Sequence, residues 1–488
     1  MVSQQLLLPL SGIGVSPSVP NKIPRADRVF VNHDLRLSGI EWVGFDMDYT
    51  LAIYRQERMD ALSVELTVDR LIRRGYPASL KELKFDARFP IRGLLVDRKH
   101  GHVLKMDRYK FVHRGYHGLA RIPDAEIQAL YHDHRIRPHT ARYHWIDTLF
   151  ALSEVTSYAA VVSALEARGE PVDYDKLFHD VRASIDEAHA DGTVYGVVTA
   201  ALDEFMDRDA ELARTLHKLR SAGKKLFLLT NSPNSYTEVV MTYLLGNAMP
   251  EYPSWRHYFE VVICSAKKPR WFQEGQVLME RDGDALRPVR GPLERGRAYE
   301  GGNLEEFERL IGVTGSSVLY VGDHIYGDIL RSKKETSWYT AMIIQELDAE
   351  VAAHEDSSAD LARMRALEEQ RESLEDELRF YQGRFKELSR AQAGNGAEAE
   401  RLRAKRAVER VRAELRSNLS EHGARAERVS TRFHPYFGSL LKEQNEMSSF
   451  GLQVELYADI YMRRVSCLKS YSPQQYFRSP YDLMPHEL

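Results

Sequence analysis

The 488-residue chain has only two cysteines, Cys264 and Cys467, too far apart in sequence for a CxxC metal site and too few for a disulfide framework. A reducing compartment suits that composition, and cytoplasmic residence is the expectation. Charge of one sign is missing as well. The 67 basic and 71 acidic residues leave a formal net charge of -4, which gives no global field to attract nucleic acid or an anionic membrane. The N-terminal "LLLPL" is too short for a bilayer span and lacks a basic leader and a clear cleavage site, so no anchor or signal peptide is expected. No long repeat or low-complexity tract is present. An anionic substrate would have to be held by local groups.

The composition that remains, 43% hydrophobic and 28% charged, is that of an ordinary globular protein, and the length suits roughly two to four domains. Residues 1–35 read as a Pro- and Ser-containing arm. Residues 36–56 and 199–350 carry short apolar, β-branched runs alternating with helical patterns, which predicts an α/β, doubly wound, mostly parallel sheet. Residues 57–198, with strands and amphipathic helices of their own, are expected to form an inserted α+β cap. Between Val277 and Val289, a hairpin is expected around Asp282-Gly283.

From 351 to 432 the composition shifts to Glu, Arg, Ala and Leu. Leu367, Leu374, Leu378, Tyr381, Phe385 and Leu388 recur at helical spacing, "AGNGA" interrupts, and Val408, Val411 and Leu415 resume, which predicts an antiparallel helical hairpin. It serves either as a solvated arm or as a protein contact. The aromatic tail, 433–488, is expected to pack on the core or on a neighbouring subunit.

Polar groups gather just past the predicted strands: Asp46 and Asp48 in "GFDMDYTL", Thr230-Asn231-Ser232 after "KKLFLL", Lys268 in "SAKKP", and Asp323 with Asp328 in "GDHIYGD". In open α/β sheets, ligand sites form outside the carboxyl ends of strands. Taken singly, each group has a plain alternative: an Asx turn, a helix N-cap, a solvated lysine. Taken together they suit phosphoryl transfer. A dianionic phosphate repels an attacking carboxylate, so a cation and a lysine must neutralise it first. Mg2+ accepts one or two carboxylates with water and phosphate oxygens. Asp46 would attack phosphorus, and Asp48 would serve the leaving group and then the hydrolytic water as acid and base.

The order of these motifs resembles the haloacid dehalogenase-like phosphohydrolase superfamily. More closely, "GFDMDYTL", "LLTNS", "KKP", "YVGDHIYGDILRSKK" and the tail "LMPHE" resemble the cytosolic purine 5'-nucleotidase family. The resemblance implies Asp46 as nucleophile, Asp48 as acid/base, and Thr230, Asn231, Ser232 and Lys268 as phosphate holders. It chooses Lys268 over Lys267 because the family places the lysine immediately before the proline. Asp46, Asp48, Asp323 and Asp328 form the implied Mg2+ set. In "DVRASIDEAH", which resembles the family's purine-reading helix, Arg182, Asp186 and His189 share one helical face. Phe150 matches the aromatic that stacks on the base. IMP and GMP are the implied substrates, with nucleoside phosphotransfer as a side activity. The implied assembly is a homo-oligomer, typically a tetramer, with no nucleic-acid or membrane partner.

Two departures stand out. Tyr195 lies at or near the position of a family lysine. After Lys333 and Lys334, Tyr339 stands where an arginine of the effector-binding basic segment is expected, which sets nucleotide activation in question. Three alternatives stay open at this point: a phosphatase for a sugar phosphate or phosphoprotein, a non-catalytic assembly protein, and, for the 182–189 helix, a surface helix with an internal ion pair.

Overall fold

The structure, a computed structural model, describes residues 23–480 apart from 133–135, 139, 274, 284, 314 and 391–396, together with residue 484. Most of the expected N-terminal arm, the Gly-Asn-Gly turn and, Met484 apart, the "LMPHE" motif lie outside these residues.

Five buried strands form the centre of the molecule: β1 (Trp42–Phe45), β2 (Lys225–Leu229), β3 (Val261–Cys264), β4 (Val318–Gly322) and β5 (Tyr339–Ile343). They are parallel and lie in the spatial order β5-β4-β1-β2-β3, with Val43 of β1 opposite Leu226 of β2 and Leu319 of β4. Their near-continuous apolar runs follow from burial on both faces. Gly44 is required within β1 because a Cβ there would lie 2.1 Å from the Phe227 ring.

The winding reverses at β1: the chain steps outward to β2 and β3, then returns to β4 on the other side. The chain is therefore an α/β, doubly wound fold, and its switch point falls between β1 and β4. Beyond β3 the sheet continues through Tyr299–Gly301 to the expected hairpin, Leu278–Asp282 with Ala285–Pro288.

The C-terminal segment does more than pack on the core. Its strand Ile460–Met462 pairs in parallel with β5, and Phe30–Val31 pairs antiparallel outside it. Leu35–Arg36 joins Tyr476–Phe477 in a second small sheet. Strands near both ends of the described chain thus join the central sheet or flank it.

Between β1 and β2 stands a five-stranded antiparallel sheet, with Leu94–Asp97 between His102–Met106 and Tyr143–Ile146. The longer helices beside it are α1 (Gln56–Arg73), α2 (Leu152–Ala167), α3 (Tyr174–Ala190) and α4 (Thr193–Ala200). Asp173 caps α3 by accepting from the Lys176 N–H at 3.0 Å. With the turn before it, α2 makes a segment, Leu149–Ala167, that would suit a bilayer by length and composition, yet most of it is buried inside the fold, as in a core helix.

After β2 comes α5 (Asn234–Leu245). Two long helices, α6 (Ser358–Arg390) and α7 (Ala397–Phe433), run antiparallel. The Arg384–Glu400 and Arg363–Glu421 pairs set their register from either end. Leu367, Leu374, Ala404 and Val411 fill the seam, and Asn418 donates to the Leu367 carbonyl at 3.0 Å.

Candidate active site

Asp46 and Asp48 leave the carboxyl end of β1 beside the switch point, and both are buried. Their surroundings differ. Asp46 Oδ1 lies 2.9 Å from Lys268 Nζ, which also meets Asp328 Oδ1 at 2.7 Å and donates to the Tyr320 hydroxyl at 2.9 Å. Asp48 instead accepts from Tyr54 and Ser232, each at 2.6 Å, and Tyr54 shares a 2.8 Å hydroxyl contact with Tyr236.

Asp46, Asp323 and Asp328 each bring a carboxylate oxygen to within 4.8 Å of the others. One buried ammonium does not balance three acids. Burial pushes Asp46 well above the usual carboxylate range against the pull of Lys268, with Asp328, Asp48 and Asp323 adding to the rise. Burial and Asp328 likewise push Asp323 up to about 7. Burial opposes the Lys268 ammonium, but Asp328 and Asp46 hold it charged. Asp323 Oδ2 is buried without a hydrogen-bond partner among the described residues. The donor set and this orphaned oxygen fit a hard divalent cation. Gly322 belongs to the same packing, since a Cβ there would meet the Asp328 carboxylate at 2.6 Å.

The sequence had placed Asp48 among the cation ligands as well. Its carboxylate is taken by the two hydroxyls and stands outside the three-acid cluster. Asn231, expected to hold phosphate, has its side chain on the lysine loop: Oδ1 accepts from the Lys268 N–H at 2.6 Å and Nδ2 donates to the Lys268 carbonyl at 3.0 Å. Thr230 is fully buried and its Oγ1 accepts from the Ser232 N–H at 3.1 Å.

A cavity of about 300 Å³ opens beside Asp48 and Ser232, lined also by Phe150, Asp186, His189 and Tyr195. Phe150 is 38% exposed and stands edge-on to Tyr49, with ring centroids 4.7 Å apart. Tyr195 packs against Tyr236 with centroids 4.5 Å apart, so the departure from lysine puts an aromatic wall where a charge was expected.

Arg182 does not join this lining. Its Nη1 lies 3.1 Å from His144 Nδ1, one turn back along α3, because the cavity spans only the end of the helix that carries Asp186 and His189. At the basic segment Lys333 is paired with Asp459 at 2.7 Å.

Four participants carried no sequence signal. Arg92, with a fully buried side chain, donates to the Asp323 carbonyl at 2.8 Å and grips both oxygens of Glu346 at 2.8 and 2.6 Å. His324 lies 3.4 Å from Asp147 across the boundary between core and insert, and that carboxylate lifts it to about 9 against the opposing effect of burial. Tyr54 and Tyr236 complete the set; Tyr54, six residues after Asp48, and His324, next to Asp323, lay close in sequence to predicted site residues, but nothing in their spacing marked a role.

The family model for the 5' nucleotidase family matches residues 29–488. A 5'-nucleotidase domain-containing protein of Dictyostelium discoideum is 29% identical over 477 residues, covering 94% of this chain and 74% of the relative. Among solved structures, a predicted phosphoglycolate phosphatase of Haemophilus somnus aligns with 62% of this chain and 85% of its own, at 14% identity and a TM-score of 0.26. A Bacillus subtilis HAD-hydrolase solved with magnesium aligns with 62% of this chain and 88% of its own, at 13% identity and a TM-score of 0.23. Because the family match runs through both halves of the divided core and the insert between them, the chain belongs to the 5' nucleotidase family and is a phosphoric monoester hydrolase.

Proposed function

We propose that this hydrolase is a Mg2+-dependent 5'-nucleotidase that releases phosphate from 6-oxopurine nucleoside monophosphates, IMP and GMP, through a phosphoryl group carried on Asp46. The observation that supports it best is the division of labour between two acids two residues apart. Asp46 sits in the cation-ready cluster, and Asp48 sits among hydroxyls at the mouth of the cavity.

Asp46, Asp323 and Asp328 would hold the metal. When bound, Mg2+ supplies positive charge against the phosphate and the attacking carboxylate. The Asp46 carboxylate attacks phosphorus, the bond from phosphorus to the 5' oxygen breaks, and that oxygen takes the Asp48 proton. Burial raises Asp48, which keeps the proton available, although Ser232 and Tyr54 act against it. Asp48 then removes a proton from water as the water oxygen attacks phosphorus. The bond to Asp46 breaks and phosphate leaves. A nucleoside hydroxyl in place of water gives phosphotransfer by the same steps. Lys268 holds Asp46 in place and offsets its charge.

Phe150, Asp186 and His189 provide an aromatic face and polar edges for a base. Cytoplasmic residence and a homo-oligomeric state complete the proposal; both cysteines are free and buried, as suits a reducing compartment.

The test is phosphate release from nucleoside 5'-monophosphates and sugar phosphates, with and without EDTA, beside Asp46→Asn. IMP and GMP should lead AMP. EDTA should abolish release, and Asp46→Asn should lower it by at least about a thousandfold with the fold retained. Release from sugar phosphates alone would sink the nucleotide reading and keep the phosphatase; an active Asp46→Asn would remove the proposed nucleophile.

A further inference from the structure

Acceptors dominate the base end of the cavity. Glu154 and Asp186 both line it, and no lysine or arginine is among its described lining residues. Glu154 lies one helical turn after Phe150, at the start of α2, so it stands beside the exposed aromatic. The residue is 8% exposed, and its Oε2 is buried without a hydrogen-bond partner among the described residues, 3.8 Å from His144 Nε2. The Arg182 guanidinium stands against both ring nitrogens of the same histidine, at 3.1 and 3.2 Å, and outside the cavity lining.

An unpaired buried carboxylate costs free energy that a ligand bearing N–H groups recovers. Purine edges differ in what they bring. Guanine presents two adjacent donors, N1–H and the 2-amino group, which match the two oxygens of one carboxylate. Hypoxanthine presents N1–H alone. Xanthine turns a 2-oxo acceptor toward the carboxylate, and adenine turns its N1 lone pair.

We propose that Glu154, not Arg182, reads the base, accepting from N1–H and the 2-amino group, so that the enzyme prefers GMP to IMP. This rests on the nucleotide assignment above and deepens it. Asp186 lines the same end and adds acceptor character. Burial, opposed by Arg182, lifts Glu154 to about 7, and two N–H donors from a base would return it toward the ionised form.

The experiment compares kcat/KM for GMP, IMP, XMP and N2,N2-dimethyl-GMP in the native protein and in Glu154→Gln. The native enzyme should favour GMP over IMP by about tenfold or more, the scale of one hydrogen bond to a charged acceptor. The dimethyl analogue, which has no N–H at the 2-position, should fall to the IMP level or below, and XMP lower still. Glu154→Gln should bring GMP and IMP to within about threefold of each other. A loss of stability alone lowers both rates and leaves their ratio, so the ratio is the readout. An unchanged ratio in the variant overturns the proposal. So does a dimethyl analogue turned over as fast as GMP, a result that needs no variant. If neither GMP nor IMP is hydrolysed while sugar phosphates are, the nucleotide assignment itself is what fails.

Discussion

Arg92 Nη1 donates to the carbonyl of Asp323 at 2.8 Å, so a residue of the inserted segment, 231 positions away in sequence, fixes the loop that carries one acid of the cation cluster. The other edge of the same guanidinium is spent on Glu346, just past β5. Insert, catalytic loop and sheet edge are therefore joined through one buried fork.

Replacing Arg92 with lysine keeps the charge and loses the fork. Arg92→Lys should weaken divalent-cation affinity by about 10- to 100-fold, the usual cost of losing a supporting contact behind a ligand. Mn2+ titration by calorimetry or EPR reads this directly. Glu346→Gln should move the affinity in the same direction. An unaltered Mn2+ affinity with a lower Tm would reduce Arg92 to a packing residue.

Tyr54 donates to Asp48, and that bond favours the ionised carboxylate. Tyr54→Phe removes it and leaves the burial that raises Asp48 unopposed on that side. Asp48 then keeps its proton to higher pH, so the alkaline limb of the kcat profile should move up by as much as about one unit. A profile superimposable on the native one would show that Tyr54 has no hold on the acid.

Asp60, on α1, is buried and receives one bond, from Gln56 Nε2 at 2.8 Å; its Oδ2 has no partner among the described residues. Burial raises it to about 8, well above an unfolded value near 3.8, so the folded protein binds the proton more tightly than the unfolded chain does. Its favourable contribution is complete below about pH 4 and is lost as pH rises through about 8. Asp60→Asn should raise Tm at pH 8 by an amount worth a few kcal/mol and flatten that part of the stability curve. Equal Tm values for the two proteins at pH 8 would show that the native carboxylate has found a partner.

Much of the core was legible because its signals are local. A β-branched run followed by an acid or a hydroxyl marks a strand end wherever it occurs, and β1, β2 and β4 each announce themselves in fewer than ten residues. The seam of the α6-α7 hairpin was legible for the same reason. Arg92 sits in "FPIRG", a stretch without periodicity, and owes its role to partners more than 200 residues away. Glu154 is one of two acids in a helix whose apolar composition drew attention away from both. The 182–189 face was read correctly as a face. What the spacing could not give was where along it the cavity ends, and that boundary separates Asp186 and His189 from Arg182. The strand Ile460–Met462 has three residues and was hidden in an aromatic tail.

That last strand has a consequence for synthesis. The inserted sheet pairs residues close in sequence and can close while the ribosome is still working. The catalytic sheet cannot, because β5 waits for a neighbour that follows it much later in the chain, and Phe30–Val31 waits with it. A nascent chain that stops short of Met462 exposes one edge of its central sheet, an open template for pairing with other chains. Premature termination in this protein should therefore yield aggregates rather than a soluble fragment with partial activity.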